Sequence, residues 1–192
     1  VKHGQSFKTM AITINGNGGV TGLTSLPDSA MSSGSIIQVV QTYRTSQFSE
    51  SLTQGNYSSA VMTASITPAS SSNKILVLCT VHISTGSGTN GAQARLARDG
   101  TAIGIADADG SRTRATGAGM GSSAVNRMQS NVQMTFLDSP NSTSALSYTA
   151  HIKPGYAGTQ TVYLNREGGG HSTDASNVGL SASNLTLMEV AA

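Results

Sequence analysis

Charge is scarce in this 192-residue chain: only 10% of its residues are Asp, Glu, Lys or Arg, against about a quarter in ordinary globular domains. Eleven basic residues stand against nine acidic ones, for a formal net charge of +2, and no dense Lys/Arg run exists. The electrostatic footprint that nucleic-acid binding requires is therefore missing. Aromatics amount to 4% and Trp is absent, which counts against a carbohydrate-binding module that offers flat rings to sugars. Cys79 is the single cysteine, so an intrachain disulfide and a cysteine-based metal site are both ruled out. No apolar run approaches the ~18 residues of a membrane helix, and the first residues do not read as a signal peptide. The expectation is a protein that assembles in a cytoplasm without membrane insertion.

What stands in place of charge is Ser, Thr and Gly, at 29, 22 and 22 residues. Such a chain draws its solubility from hydroxyls and backbone. Thr and the β-branched aliphatics favour strands, and Gly and Ser favour the turns between them. The hydrophobic fraction is 37%, spread in short blocks, and no segment keeps a 3.6-residue apolar period over three turns.

Two textures divide the chain. Residues 1–34 carry isolated apolar residues (Phe7, Ile12, Ile14, Val20, Leu23 and Leu26) among Gly, Asn, Ser and Thr. From Ile12 to Thr24 a strand-like alternation is broken by Asn-Gly turn signals. This stretch cannot build a core, so it reads either as a floppy leader or as an extended anchoring arm ordered against a partner, with those six residues as its attachment contacts. From Ile36 onward strands recur at regular spacing: Ile36–Thr45, Val61–Thr67, Lys74–Ile83, Ala92–Arg98, Thr101–Ala106, Asn131–Leu137, Ser144–Lys153, Thr161–Leu164 and Asn184–Val190. Lys74–Ile83 is apolar on both faces, the pattern of a central strand covered on two sides. Asp99-Gly100 is the strongest short hairpin signal in the chain. The expected fold is all-β: an antiparallel β-sandwich of jelly-roll type with about eight or nine strands, forming a knob over residues 35–192. Gly86–Gly91, Ser111–Ser123 and Gly168–Gly179 read as long connections, which in a compact domain are functional or lie in an interface.

A search for catalytic chemistry finds little. His3, His82, His151 and His171 stand far apart in no metal-binding spacing, and no G-x-S-x-G elbow exists. Asp107-Ala-Asp109-Gly110-Ser111 resembles the opening of a calcium loop without the closing Glu, and reads as a turn after a strand. Gly16–Gly19 and Gly117–Gly121 lack the Lys-Ser/Thr of a phosphate loop and read as flexible or tight-turn backbone. No catalytic residue, metal or cofactor is expected. One side-chain cluster stands out: Arg95, Arg98, Arg112 and Arg114 fall within twenty positions. They form a candidate patch for an anionic partner such as a polysaccharide or an acidic neighbouring subunit, set against the plainer reading of pairing with Asp99, Asp107 and Asp109.

Several segments resemble the small virion structural proteins, tail-fibre-like or capsid-decorating, of marine and cyanobacterial tailed phages. They are Ile66-Thr-Pro-Ala-Ser-Ser-Ser-Asn-Lys-Ile-Leu-Val-Leu, Arg98-Asp-Gly-Thr-Ala-Ile-Gly with Gly110-Ser-Arg-Thr-Arg, Thr135-Phe-Leu-Asp-Ser-Pro with Tyr148, and Leu185-Thr-Leu-Met-Glu-Val. The Ile12–Leu26 piece, ending Leu26-Pro-Asp, is similar to their N-terminal attachment sequence. The resemblance implies a homotrimeric β-sandwich knob on the outer surface of a virion, attached by its N terminus to the major capsid protein or another virion protein, and no catalysis.

Three functions remain: a capsid decoration or cement protein, a fibre tip that binds a host-surface glycan, and a glycan hydrolase. The last needs two acids at a fixed separation in a cleft, and nine acidic residues offer no suggestive pair. A fibre needs a shaft of heptads or repeats, which this chain lacks, so a short decoration suits the sequence better.

Overall fold

A computed structural model describes residues 13–14, 20–21, 31–86, 91–119, 129–155, 158–168 and 179–192. Among them every regular element is a strand. Two short ones, β1 (Thr13–Ile14) and β2 (Val20–Thr21), pair only with each other. The remaining eleven are β3 (Ile36–Arg44), β4 (Phe48–Thr53), β5 (Met62–Ile66), β6 (Lys74–Thr85), β7 (Ala92–Arg98), β8 (Thr101–Ile103), β9 (Gly117–Gly119), β10 (Ser130–Asp138), β11 (Leu146–Pro154), β12 (Thr159–Leu164) and β13 (Ser183–Val190). All ladders are antiparallel. The expected all-β antiparallel sandwich is the architecture observed.

These eleven strands occupy eight lanes. β12 and β13 lie end to end along one edge of β6, meeting Ile83–Thr85 and Lys74–Thr80 respectively. β3 and β4 lie end to end beyond them, and β8 and β9 share one edge of β7. The first sheet is thus β3/β4, β12/β13, β6, β10; the second is β5, β11, β7, β8/β9. Numbered along the chain, lane four pairs with five, three with six, two with seven and one with eight. The chain is one long hairpin, rolled so that its lanes close into two sheets.

The tip of that hairpin is the Asp99-Gly100 turn. Both residues have positive φ, 48° and 81°, as a two-residue turn matched to strand twist demands. Asp99 also ties the tip sideways: its amide donates to the Ser147 carbonyl (2.8 Å) and its carboxylate accepts the Ser147 amide (2.9 Å).

Where lanes break, buried polar groups hold the ends. Asn165, fully buried and with φ of 60°, ends the β12 lane. Its amide nitrogen donates to the carbonyls of Arg44 and Ser46, across the β3–β4 kink. Its oxygen accepts the Ser183 hydroxyl at 2.6 Å, where β13 begins. At the opposite end of β13, Glu189 is fully buried and collects the amide of Ala69 (2.7 Å), Nδ2 of Asn73 (2.7 Å) and Nε2 of Gln38 (2.5 Å). The polar turn between β5 and β6 is wrapped around this carboxylate.

The core lies between the sheets. β6 sends Ile75, Val77, Cys79, Val81 and Ile83 inward, joined by Leu185 and Leu187 of β13 and by Ala94, Leu96, Tyr148, Ala150 and Ile152 of the second sheet. Each large aliphatic buried here contributes about 1.5–3 kcal/mol. Burial also pushes the Cys79 thiol up to about 12.

Four departures from the sequence expectation have physical causes. β6 is central but covered on one side only: Leu76 and Leu78 on its outer face remain half-buried. The strand after the tip ends at Ile103 rather than Ala106, because Gly104 turns the chain at φ of 58° and lies against the Phe136 ring, where a Cβ would stand 2.9 Å from it. Residues 117–119 are a strand, not flexible backbone. Its glycines let the second sheet approach β10 closely, since a Cβ at Gly117 would meet Val132 at 2.8 Å. β4 was not expected, because Phe48 and Leu52 are its only large apolar residues.

Two predictions follow from this packing. In Glu189 burial raises the carboxyl, but the hydrogen bonds from Asn73, Gln38, Ala69 and Ser70 outweigh it and hold the group below its ordinary value of 4.5. Its stabilisation is therefore complete above pH 4.5 and is lost as pH falls through the lower folded value. Glu189→Gln should lower stability by about 2–4 kcal/mol at pH 7 and flatten the acid limb, checked by urea midpoints between pH 2 and 7. Cys79 should resist an aqueous thiol reagent in native buffer and react fully in denaturant, followed by absorbance.

Candidate functional site

A strand's period of two divides the arginine cluster. Arg95 and Arg98 lie three apart on β7, so they leave opposite faces. Arg98 turns inward, where NH1 donates to Asp138 Oδ2 at 2.5 Å. The fully buried Tyr148 hydroxyl donates to the same oxygen at 2.7 Å; burial first, and the Asp138 carboxylate next, raise the tyrosine well above its ordinary value. Arg98 is thus a tie between β7, β10 and β11. Arg112 pairs with Asp109 within the exposed 104–116 loop, and Arg114 donates to the Ala106 carbonyl at 2.6 Å. Asp107-Ala-Asp109 accordingly belongs to a loop closed on itself by that ion pair.

Neither Arg95 nor Arg114 forms an ion pair with a described carboxylate, and of these two Arg95 lies on the outer face of the second sheet. There it stacks on Tyr57, its guanidinium carbon 4.1 Å from the ring centroid. Burial raises the Tyr57 phenol, and Arg95 partly offsets that. The Tyr57 hydroxyl donates to the Arg114 carbonyl at 3.2 Å, which draws the 104–116 loop over the sheet. Under that loop sits a cation that the sequence reading did not pick out. Lys153 pairs across the ladder with Gln93, is only 4% exposed, and lies 5.6 Å from the same ring centroid. Its ammonium donates to the Thr113 hydroxyl at 2.8 Å, and burial lowers its pKa. No ion pair joins Lys153 or Arg95 to a described carboxylate.

Around Lys153 lies a cleft of about 190 Å³ lined by Gln54, Gly55, Gln93, Ser111, Thr113 and Gly155, among others. Among the described residues, Gln93 Oε1 and Arg95 Nε are buried with no hydrogen-bond partner. The structure does not bring the four arginines together; near Arg95 it places Lys153, Gln93 and Thr113, with Tyr57 against both cations. The alternation of Ser144–Lys153 did place Lys153 on a polar face; what was missing was that Gln93 lies opposite it and a loop roofs both.

A second surface is apolar. On the outer face of the first sheet, Val39, Met188, Leu76 and Leu137 are ladder neighbours in one row across all four lanes. Val39 is 55% and Leu137 48% exposed, and Ile36 (45%) and Val190 extend the row toward the end of the sheet. At that end Gly34 and Ser35 are clamped to Ala191 by two backbone hydrogen bonds of 2.9 Å, so Gly34 and the C-terminal Ala191 meet at one corner of the sheet.

Of the arm residues, Ile14 and Val20 fall opposite each other in β1 and β2; Phe7, Ile12, Leu23 and Leu26 lie outside the described residues, as do His3 and His171. His151 uses both ring nitrogens, on the Ser58 carbonyl and the Thr149 hydroxyl, each at 2.9 Å. Among the described residues no group of three His, Cys, Asp or Glu is placed to hold a metal, and no helix is long and apolar enough to cross a membrane.

No protein-family model and no curated protein matches the chain. Among solved structures it is similar to the VP2 subviral particle of infectious bursal disease virus, at 14% identity and a TM-score of 0.41, covering 80% of this chain and 41% of that one. It is also similar to a structure of the Gx strain of the same virus, at 16% identity and a TM-score of 0.41, covering 81% and 37%. The chain thus spans about two fifths of the length of either.

The arginines should separate by experiment. Arg98→Met strands a buried carboxylate and should cost about 2–3 kcal/mol, whereas Arg112→Ala should change stability by under about 0.5 kcal/mol. Thermal melts of the two variants check both values.

Proposed function

We propose that this protein is a non-enzymatic structural subunit of a phage virion, a homotrimeric decoration or cement protein on the outer capsid surface. On this reading residues 1–34 attach it to the major capsid protein or another virion protein, and residues 35–192 form the outward knob. One observation carries the assembly reading. β6 has the sequence of a strand covered on both faces, yet its outer face, with the Val39–Met188–Leu76–Leu137 row, is left open. An apolar row spanning a whole sheet marks a surface that another chain covers. Isologous or cyclic packing of copies covers it at no cost in new sequence.

Two further features support the same reading. Lanes paired four to five, three to six, two to seven and one to eight support the jelly-roll reading, an architecture that viral capsid and lectin domains share. The clamp of Gly34 and Ser35 to Ala191 supplies a fixed point on the knob to which the proposed arm would be joined. A fibre tip that binds a host-surface glycan is the second reading, and it draws on a different observation, the cationic cleft beside Lys153.

The test is the solution mass by sedimentation equilibrium. The expected value is three times 19.5 kDa, and Val39→Asp with Leu137→Asp should return a folded monomer. A wild-type monomer at micromolar concentration overturns the self-assembling trimer.

A further inference from the structure

We infer that the cleft between β7, β11 and the 104–116 loop is a binding site for an acidic sugar, a hydroxylated ring bearing a carboxylate. The inference deepens the receptor-binding reading and rests on it for its biological role; it does not depend on the trimer or on where the protein sits in the particle.

The charge argument comes first. Lys153 is 4% exposed with a hydroxyl as its hydrogen-bond partner, and Arg95 stands one rung along the ladder, across Tyr57. A buried ammonium without a counter-charge is costly, and among the described residues Lys153 faces a cleft and no carboxylate. A cation held in this way is preorganised for an anion that arrives from outside.

The second argument selects the kind of anion. Gln93 lines the cleft directly across the ladder from Lys153, and among the described residues its Oε1 has no donor. An anion without hydroxyls, such as chloride or a simple carboxylate, would satisfy the ammonium and leave this oxygen unpaired. A ligand that carries hydroxyls beside its carboxylate satisfies both. Ser111 and Thr113 line the same cleft and offer hydroxyls that donate or accept as a sugar requires. The cleft is small, about 190 Å³, which suits one acidic residue of a glycan rather than a chain lying along a groove. Tyr57 spends its ring face on Arg95 and Lys153, so recognition is polar and does not need the stacking rings whose scarcity marks this sequence.

The full chain is titrated with D-galacturonate, D-galactose, acetate and a Glu-rich peptide, by calorimetry and by amide chemical-shift mapping. D-galacturonate should bind saturably, with shifts centred on Gln93, Thr113 and Lys153, while galactose, which lacks the charge, should not bind. Lys153→Met should weaken galacturonate at least tenfold, the size of one lost charge-assisted hydrogen bond. Gln93→Leu, which leaves both cations in place, should remove the preference for galacturonate over acetate. Absence of binding, shifts elsewhere, or unchanged affinity in both variants overturns the site. Acetate or the peptide binding as tightly as galacturonate would overturn the sugar and assign the cleft to an acidic partner protein. The sedimentation mass of Lys153→Met should equal that of wild type, so loss of the cleft and loss of assembly are read separately.

Discussion

The pairing of the chain with itself as one long antiparallel hairpin governs the rest of the structure. Once Asp99 and Gly100 reverse the chain, each later segment must find the earlier one that is symmetric about that turn. β10 therefore returns to β6, β11 to β5, and β12 with β13 to β4 and β3. Rolling this ribbon brings β6 beside β12/β13 and β11 beside β7, which closes both sheets over a shared core. A two-residue turn of positive φ is the local price of that topology, and Gly100 with an aspartate is chemistry suited to it.

A rolled ribbon leaves awkward ends, and buried polar groups manage them. Asn165 stops one lane, bridges the kink in the next and positions the start of β13. Glu189 gathers the β5–β6 turn, and Asp138 holds Arg98 and Tyr148 from two other strands. Each of these side chains makes several bonds, so replacing any one of them leaves more than one partner group unpaired. The segments that resemble phage virion proteins are joined through these same residues: the Thr-Pro and Ser-rich turn meets the C-terminal strand at Glu189, and Arg98, Asp138 and Tyr148 come from two of the other segments. Short pieces that are unremarkable singly become one polar framework when the ribbon rolls.

The two outer faces then diverge. The first sheet turns an apolar row outward, and the second turns out arginine, lysine and glutamine under a loop. One face is suited to burial against another chain and the other to a polar ligand, and the thickness of the sandwich separates them. The proposed assembly surface and the proposed ligand cleft therefore lie on opposite faces.

Most of the strands were legible in the sequence, because alternation and turn residues are local signals: Ala92–Arg98 carries its bounds unchanged, and Asp99-Gly100 marked the tip. The sequence also determined that Lys153 and His151 share a polar face, since a strand's period is local too. It did not reveal β9, whose Gly-Ala-Gly has no side-chain pattern and exists because two sheets need to approach closely there. Which cations meet was likewise a tertiary decision. Four arginines close in sequence were separated by strand parity and by a loop that pairs with itself, while Lys153, 58 residues from Arg95 in the numbering, was brought beside it by the β7–β11 ladder. Neighbours along the chain share a composition; only a register across strands makes a site.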